Sequence, residues 1–87
     1  MKMPRIYNYG EEKTKQHNTV CVEMDNLDLY FSYTTIVAFR YKSKLVVREN
    51  IWGSTTGKHL NWIHRDHSIR VSTEEFERQL NEVLSAL

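Results

Sequence analysis

Long apolar runs and cysteine pairs are both missing from this chain of 87 residues. No window approaches the roughly 18 consecutive apolar residues that a membrane-spanning helix needs. Cys21 is the only cysteine, so the chain cannot form a disulfide bond within itself. The opening residues, MKMPRIYNYG, lack the apolar stretch of a secretion signal. We therefore expect an intracellular, cytoplasmic protein without a membrane partner.

Glycine is also scarce, and two of the three glycines lie in the stretch WGSTTGKH. A phosphate-binding P-loop needs four residues between its first glycine and the Gly-Lys pair, followed by a Ser or Thr that binds magnesium. Here Gly53 and Gly57 enclose only three residues, and His59 stands in place of the hydroxyl. The stretch therefore predicts a helix start and not a site of nucleotide hydrolysis.

An excess of charge of one sign is absent from the whole chain, which has a formal net charge of +1. The distribution is uneven, because residues 40–70 contain seven Lys or Arg and two Asp or Glu, whereas residues 71–87 contain one and four. The basic segment either contacts an anionic partner or lies beside the acidic tail and is neutralised by it.

The basic side chains concentrate around one predicted hairpin, with an aromatic residue among them: Arg40, Tyr41, Lys42, Lys44 and Arg48. Such strands bind nucleic acid because their cations follow the phosphates and their rings stack on bases. The alternative is a sheet edge on which Lys and Arg hinder edge-to-edge pairing. The sequence pI of about 7.9 is low for a dedicated nucleic-acid-binding domain, which favours the alternative.

Length and hydrophobic pattern predict one small α+β domain over residues 18–87. A domain of this size is only marginally stable alone, so formation of a homodimer would add stability. Residues 18–52 have an apolar period of two, which predicts an antiparallel meander of about four strands. Residues 1–17 form a polar lead. Three of its residues could add an edge strand: Ile6, Tyr7 and Tyr9.

The two faces of this sheet are expected to differ. One face carries an apolar row suited to a core: Leu27, Leu29 and Phe31. The other carries residues suited to water: Asp28, Tyr30 and Ser32. In the next strand, strict alternation puts Val37, Phe39 and Tyr41 on one face and Ile36, Ala38 and Arg40 on the other.

Two helices are predicted beside the sheet, and residues 67–71 between them can make one more short strand. A capping box at residues 72–75 starts an amphipathic C-terminal helix that packs on one face of the sheet. Its apolar residues are Phe76, Leu80, Val83, Leu84 and Leu87. A shorter helix from about Thr55 to Arg65 crosses one end, capped by Ser54 or Thr55, with Leu60 and Ile63 facing inward.

Several hydroxyl and amide side chains interrupt the apolar segments: Ser32, Thr34, Thr35 and Asn50. Buried polar groups must find hydrogen-bond partners. We expect these residues to connect the strand corner to the helix start at residues 54–56, in preference to lining a pocket.

Three histidines lie within nine residues of one another and close to Asp66: His59, His64 and His67. Imidazole and carboxylate groups are zinc ligands. Residues 59 and 64 are five apart, however, and point to different sides of a helix. We expect no metal or other cofactor and no catalytic residues, because the chain lacks a recognisable set of nucleophile, base and orienting acid.

Three short elements resemble a family of small uncharacterised proteins from bacteriophages, plasmids and their bacterial hosts. The elements are a SYxTxVA strand, an NxWS step and a TTxKHxN helix start. The matching residues are Ser32, Tyr33, Thr35, Val37, Ala38, Asn50, Trp52, Thr55, Thr56, Lys58, His59 and Asn61. Gly53 departs from the second element by separating Trp52 from Ser54. The resemblance covers residues 27–62 and implies a phage or mobile-element source, but no activity.

The resulting functional hypothesis is a non-enzymatic accessory protein that binds a protein partner, such as a host factor that it modulates. A nucleic-acid-binding module and a metal-dependent enzyme are the alternatives. The candidate partner-binding residues are Arg40, Tyr41, Lys42, Lys44, Arg48, Lys58, His59, Trp62 and Arg65. A protein-binding module also predicts an exposed apolar patch that includes Trp52 or Trp62.

Overall fold

The computed structural model of the protein describes residues 3–10 and 18–86. These residues form one sheet whose spatial strand order follows the chain order. The strands are β1 (Arg5–Asn8), β2 (Thr19–Glu23), β3 (Leu27–Ser32), β4 (Thr35–Tyr41), β5 (Lys44–Arg48) and β6 (Arg70–Val71). Neighbours from β1 to β5 are antiparallel, and β6 lies parallel to β5. The α+β class is confirmed. The count of about four strands is too low for the whole sheet, which also contains β1, where the sequence allows an edge strand, and β6, within the short strand expected at residues 67–71.

Two helices accompany the sheet: α1 (Ser54–Ile63) and α2 (Thr73–Ser85). A 3₁₀ turn at His67–Ile69 connects α1 to β6. Among the residues that the structure describes, no helix is long and apolar enough to cross a membrane. Residues 11–17 of the predicted polar lead, and Leu87 of the predicted apolar stripe, lie outside the described residues.

The two helices cover opposite faces of the sheet. The core under α2 consists of Leu27, Phe39, Val46, Phe76 and Val83. The core under α1 consists of Val37, Ala38, Val47 and Leu60, with Ile63 packed against it. Val46 and Val47 are adjacent in β5, and adjacent strand residues point to opposite faces. The prediction of one water-facing side is therefore wrong: Tyr30 packs against the α1 core and Ser32 is buried beneath α1.

A β-bulge explains why strict alternation fails in β4. Tyr30 pairs with Ala38 and Phe31 pairs with Ile36, so Val37 is the extra residue. A bulge shifts the side-chain alternation by one position. Ile36 therefore packs on the α2 core together with Phe39, contrary to the predicted pattern, while Val37 joins the α1 core.

Part of the face under α2 is left open at the β1 side of the sheet. Leu27 is buried and Leu29 packs on the core, as predicted, but Phe31 lines a shallow hollow of about 350 Å³. The other lining residues are Ile6, Val20, Val22, Tyr33 and Thr34. A helix is about 10 Å wide and a six-stranded sheet about 24 Å, so one helix covers only part of this face.

Helix α2 begins as the capping pattern predicts. The Ser72 hydroxyl accepts a hydrogen bond from the Glu75 backbone N–H at 3.2 Å. The Glu75 carboxylate does not bind the backbone of the cap residue but binds the Arg78 guanidinium and Gln79 amide, which together lower its pKa to about 2.

The apolar stripe of α2 is narrower than predicted. Phe76 and Val83 are buried, whereas Leu84 is 42% exposed.

The β4–β5 turn carries backbone strain. Its two residues, Lys42 and Ser43, have φ values of 49° and 71°, the left-handed conformation of a two-residue hairpin. The reversal thus occurs one residue earlier than the predicted Ser43–Lys44. Side chains with a Cβ adopt this conformation at a cost of roughly 1 kcal/mol per residue.

Replacing Ser43 by glycine is expected to raise the free energy of unfolding by about 0.5–1 kcal/mol, because glycine adopts positive φ without that cost. Urea denaturation of the two proteins measures the change. Thr34→Gly is the matched control, since Thr34 lies in the two-residue β3–β4 turn but, unlike its neighbour Tyr33, does not itself have positive φ. Equal gains in both variants would contradict the assignment of strain to Ser43.

Candidate functional site

The β5–α1 connection is held by hydrogen bonds to one amide side chain. Asn50 Nδ2 donates to the Gly53 carbonyl oxygen at 2.9 Å, and Asn50 Oδ1 accepts from the Trp52 backbone N–H at 3.0 Å. Gly53 is the residue before the helix, and no side-chain hydrogen bond caps α1. The prediction that Ser54 or Thr55 caps the helix is therefore wrong, and the amide of Asn50 organises the approach to the helix instead.

A buried polar cluster joins the end of β3 to α1. The Ser32 hydroxyl lies 2.8 Å from His59 Nδ1 and 3.3 Å from the Thr56 hydroxyl. All three residues are less than 8% exposed. The expected link between the strand corner and the helix start is thus confirmed for Ser32. Thr34, by contrast, is exposed in the turn.

Aromatic rings enclose the imidazole of this cluster. Trp62 stacks on His59 with ring centroids 5.5 Å apart, and the Tyr33 ring lies at 5.8 Å. The Gly10 backbone lies so close to the indole that a Cβ at this position would stand 2.9 Å from the Trp62 ring. This contact explains why the position is a glycine. His59 was predicted as a partner-binding residue, but it faces the interior, where it holds α1 against the sheet.

Arg48 is the second predicted partner-binding residue that lies inside the protein. It is 6% exposed, and its guanidinium donates to the Thr73 hydroxyl at the start of α2 at 3.2 Å. The same guanidinium lies 4.8 Å from the Trp52 ring centroid and 5.2 Å from that of Phe76. Arg48 therefore connects β5, α2 and the loop before α1, and a binding partner cannot reach it.

The other side of Trp52 is open to solvent. Trp52 is 45% exposed, and the neighbouring Ile51 is 57% exposed. We call these two residues the Ile51–Trp52 tip. The Asn50 hydrogen bonds fix the backbone of the tip, and Arg48 supports its indole ring. Sequence patterns do not identify Ile51, because only the fold determines that its side chain points outward.

The remaining hairpin candidates do not form one basic surface. Lys42 and Lys44 are exposed, but Tyr41 packs against the α2 core. Arg40 lies opposite Asp28 on the neighbouring strand β3, and it lines a polar hollow that also contains carboxylates. The hollow is lined by Glu23, Met24, Asp25, Asn26, Asp28, Arg40, Lys42 and Ser43. Its mixed charge weakens the case for a phosphate-binding strand pair.

The candidates Lys58, Trp62 and Arg65 do lie together, although Arg65 lies beyond the end of α1 at Ile63. They line a hollow of about 380 Å³ with Asn61 and His67. The Lys58 ammonium stands 5.2 Å from the Trp62 ring centroid, within the range of a cation–π contact. The spacing i, i+3 and i+4 from Lys58 to Trp62 is the sequence signal that identifies the helical part of this group.

The three histidines are not arranged around a common centre. His59 is bonded to Ser32, His64 Nδ1 accepts from the Asp66 backbone N–H, and His67 Nε2 lies 2.9 Å from Asn61 Oδ1. Over residues 3–10 and 18–86, no group of three or more His, Cys, Asp or Glu could hold a metal ion.

Comparison with known proteins places the chain in a family. A family model described as "Family of unknown function (DUF8033)" matches residues 1–78. The chain belongs to this family. The matched residues run from the sheet through α1 into the first part of α2, and include all three elements that carry the resemblance noted from the sequence. No curated protein and no solved structure matches the chain.

Proposed function

We propose that this member of the family is a small, non-enzymatic binding protein that acts through a protein partner. The observation that carries the proposal is the Ile51–Trp52 tip, two adjacent large apolar side chains that are about half exposed. Exposed tryptophan is enriched among the residues that dominate protein–protein binding energy. The tip also agrees with the exposed apolar patch that a protein-binding module predicts.

The tip is organised before any partner binds. Asn50 holds the Trp52 backbone N–H and the Gly53 carbonyl, and Arg48 lies beneath the indole ring. A side chain already held in position loses less conformational freedom on binding, so more of the contact energy contributes to affinity. This arrangement favours recognition by a largely preformed surface.

The wider biological setting follows from the resemblance. We infer a phage or mobile-element source, an intracellular location and a host protein as the partner, whose activity the bound protein modulates. The buried thiol of Cys21 is compatible with a reducing compartment. The alternative of nucleic-acid binding through residues 40–48 has less support, because Arg48 is buried and Arg40 lies beside carboxylates.

The test is capture of a partner by the tagged full chain from lysate of its host, with and without nuclease. Captured protein is identified by mass spectrometry, and its Kd is measured with both proteins purified. We expect capture to survive nuclease. Ile51→Ser combined with Trp52→Ala is expected to weaken binding by about thirtyfold or more, the effect of losing about 2 kcal/mol at a central tryptophan.

Leu84→Ser is the matched control, because Leu84 is 42% exposed but lies on α2. It is expected to leave the Kd within about twofold of the original. An equal loss of binding in both variants would mean that the tip is not the contact. Capture that disappears after nuclease treatment would favour nucleic acid as the partner.

A further inference from the structure

The outer edge of β1 is an accessible surface at one end of the sheet. Over the part of the chain that the structure describes, β1 pairs with β2 on one side and with no strand on the other. Ile6 is 70% exposed, and Met3, which precedes the strand, is 82% exposed. An edge strand presents backbone N–H and C=O groups to any other strand that can reach it.

The backbone of Ile6 points away from β2. In an antiparallel pair, successive residues direct their N–H and C=O groups alternately towards the neighbouring strand and away from it. The Tyr9 N–H donates to the Thr19 carbonyl oxygen at 2.9 Å, in the same register that joins β1 to β2. Tyr7 therefore faces β2, and Ile6 directs one donor and one acceptor outward.

The side chains of β1 give the two faces of this edge different chemistry. On the α2 side, Ile6 lies opposite Val22 and lines the hollow that also contains Phe31. On the other side, the Arg5 guanidinium lies 5.0 Å from the Tyr7 ring centroid, within the range of a cation–π contact. One face of the edge is therefore apolar, and the other is cationic and aromatic.

From this geometry we propose that the protein forms a homodimer in which β1 pairs antiparallel with β1 of a second copy, about a two-fold axis at Ile6. Ile6 then lies opposite Ile6 of the second copy, and the two residues exchange a pair of backbone hydrogen bonds. A two-fold contact must be self-complementary. This register meets that condition, because isoleucine meets isoleucine on one face and Arg5 meets Tyr7 of the second copy on the other.

A second copy of β1 suits this edge better than the other edge of the sheet does. The strand at that other edge, β6, is only two residues long, so a head-to-tail pairing would leave half of β1 unpaired. A chain of 87 residues also buries too little surface to be more than marginally stable alone. The Ile51–Trp52 tip follows β5, four strands or about 19 Å from β1, so the dimer leaves both tips accessible.

Sedimentation equilibrium of the full chain, from about 1 µM to about 1 mM, measures the self-association. We expect the mass to double with a Kd on the order of 10 µM, since a short strand pair is a small interface. Ile6→Lys and Ile6→Glu should each weaken dimerisation by at least about tenfold, because the apolar contact is lost and like charges then lie opposite each other. An equimolar mixture of the two variants should restore the dimer, since only residue 6 opposite residue 6 pairs the introduced lysine with the introduced glutamate.

Ile51→Lys is the matched control, because it makes the same substitution at an isoleucine that is 57% exposed but lies in the tip. Its dimerisation Kd should stay within about twofold of that of the parent protein. Ile6→Pro is a further variant, which removes the outward N–H and leaves the hydrogen bonds of Tyr7 to β2 in place. It should also abolish the dimer. Far-UV circular dichroism checks that every variant is folded.

Three results would overturn the proposal. The first is a parent protein that stays monomeric up to about 1 mM. The second is equal weakening by Ile6→Lys and Ile51→Lys, because the effect would then be one of overall charge. The third is a mixture of Ile6→Lys and Ile6→Glu that stays monomeric or a parent protein that forms open-ended oligomers, since a head-to-tail contact does not close at two copies.

Discussion

His59→Ala is expected to lower the free energy of unfolding by about 2–4 kcal/mol. The substitution removes a side chain that is 4% exposed, so a cavity remains between α1 and the sheet. It also leaves the buried Ser32 hydroxyl without its 2.8 Å partner, and an unsatisfied buried polar group costs about 1–3 kcal/mol. The stacking of the imidazole on Trp62 is lost at the same time. Urea denaturation at neutral pH measures the change.

Thr55→Ala is the control for this substitution, because Thr55 lies in the same helix but is exposed. Its effect should stay within about 0.5 kcal/mol. A double-mutant cycle of His59→Ala with Ser32→Ala should give a coupling energy between about 0.5 and 3 kcal/mol, as residues in direct contact do. Additive effects would mean that the Ser32–His59 hydrogen bond does not hold α1 in place.

Phe76→Ala is expected to lower the free energy of unfolding by about 3–5 kcal/mol, the usual cost of truncating a buried phenylalanine. Phe76 is fully buried, and its ring centroid lies 5.4 Å from that of Phe39 in the core under α2. The ring also supports the buried Arg48 guanidinium, which would be left beside a cavity. Domains of this kind are stable by only about 5–15 kcal/mol, so a large fraction of the variant should unfold on mild heating. Thermal unfolding followed by circular dichroism, together with urea titration, measures the loss.

Two variants test whether the loss of stability comes from removing buried side-chain volume. Phe76→Leu retains most of the side-chain volume and should cost less than Phe76→Ala. Leu84→Ala changes an exposed apolar residue of the same helix and should stay within about 0.5 kcal/mol. A small loss in Phe76→Ala would mean that α2 contributes little to the stability of the sheet.

Local patterns were sufficient for the four central strands and for α2. The period-two run over residues 18–52 contains β2 to β5. The Ser72 cap and the spacing from Phe76 to Val83 locate α2, because an amphipathic helix repeats its contacts every three or four residues. The bulge at Val37 is not visible in such a pattern. It depends on how β3 and β4 pair, and an apolar segment without polar alternation gives no signal of an extra residue.

The candidate site could be predicted only in part for the same reason. The spacing of Lys58 and Trp62 places them on one face of α1, and the structure brings Arg65, which follows the helix, into the same hollow. The burial of Arg48 and His59 depends on side chains far away in sequence, namely Thr73 and Phe76 for the first and Ser32 for the second. Charge and polarity alone predict exposure for both, and burial becomes favourable only when those partners are present.

By itself, the sequence of this protein determined the α+β class, the antiparallel meander, the capped C-terminal helix and the absence of a P-loop motif. These features rest on interactions between residues near each other in the chain, which periodicity and capping report directly. Only the tertiary structure decided that α1 and α2 cover opposite faces, that WGSTTGKH anchors α1 to the sheet through His59, and that Ile51 and Trp52 remain exposed. Each of these depends on contacts between distant segments, and such contacts determine which polar groups are satisfied inside and which apolar groups remain in water.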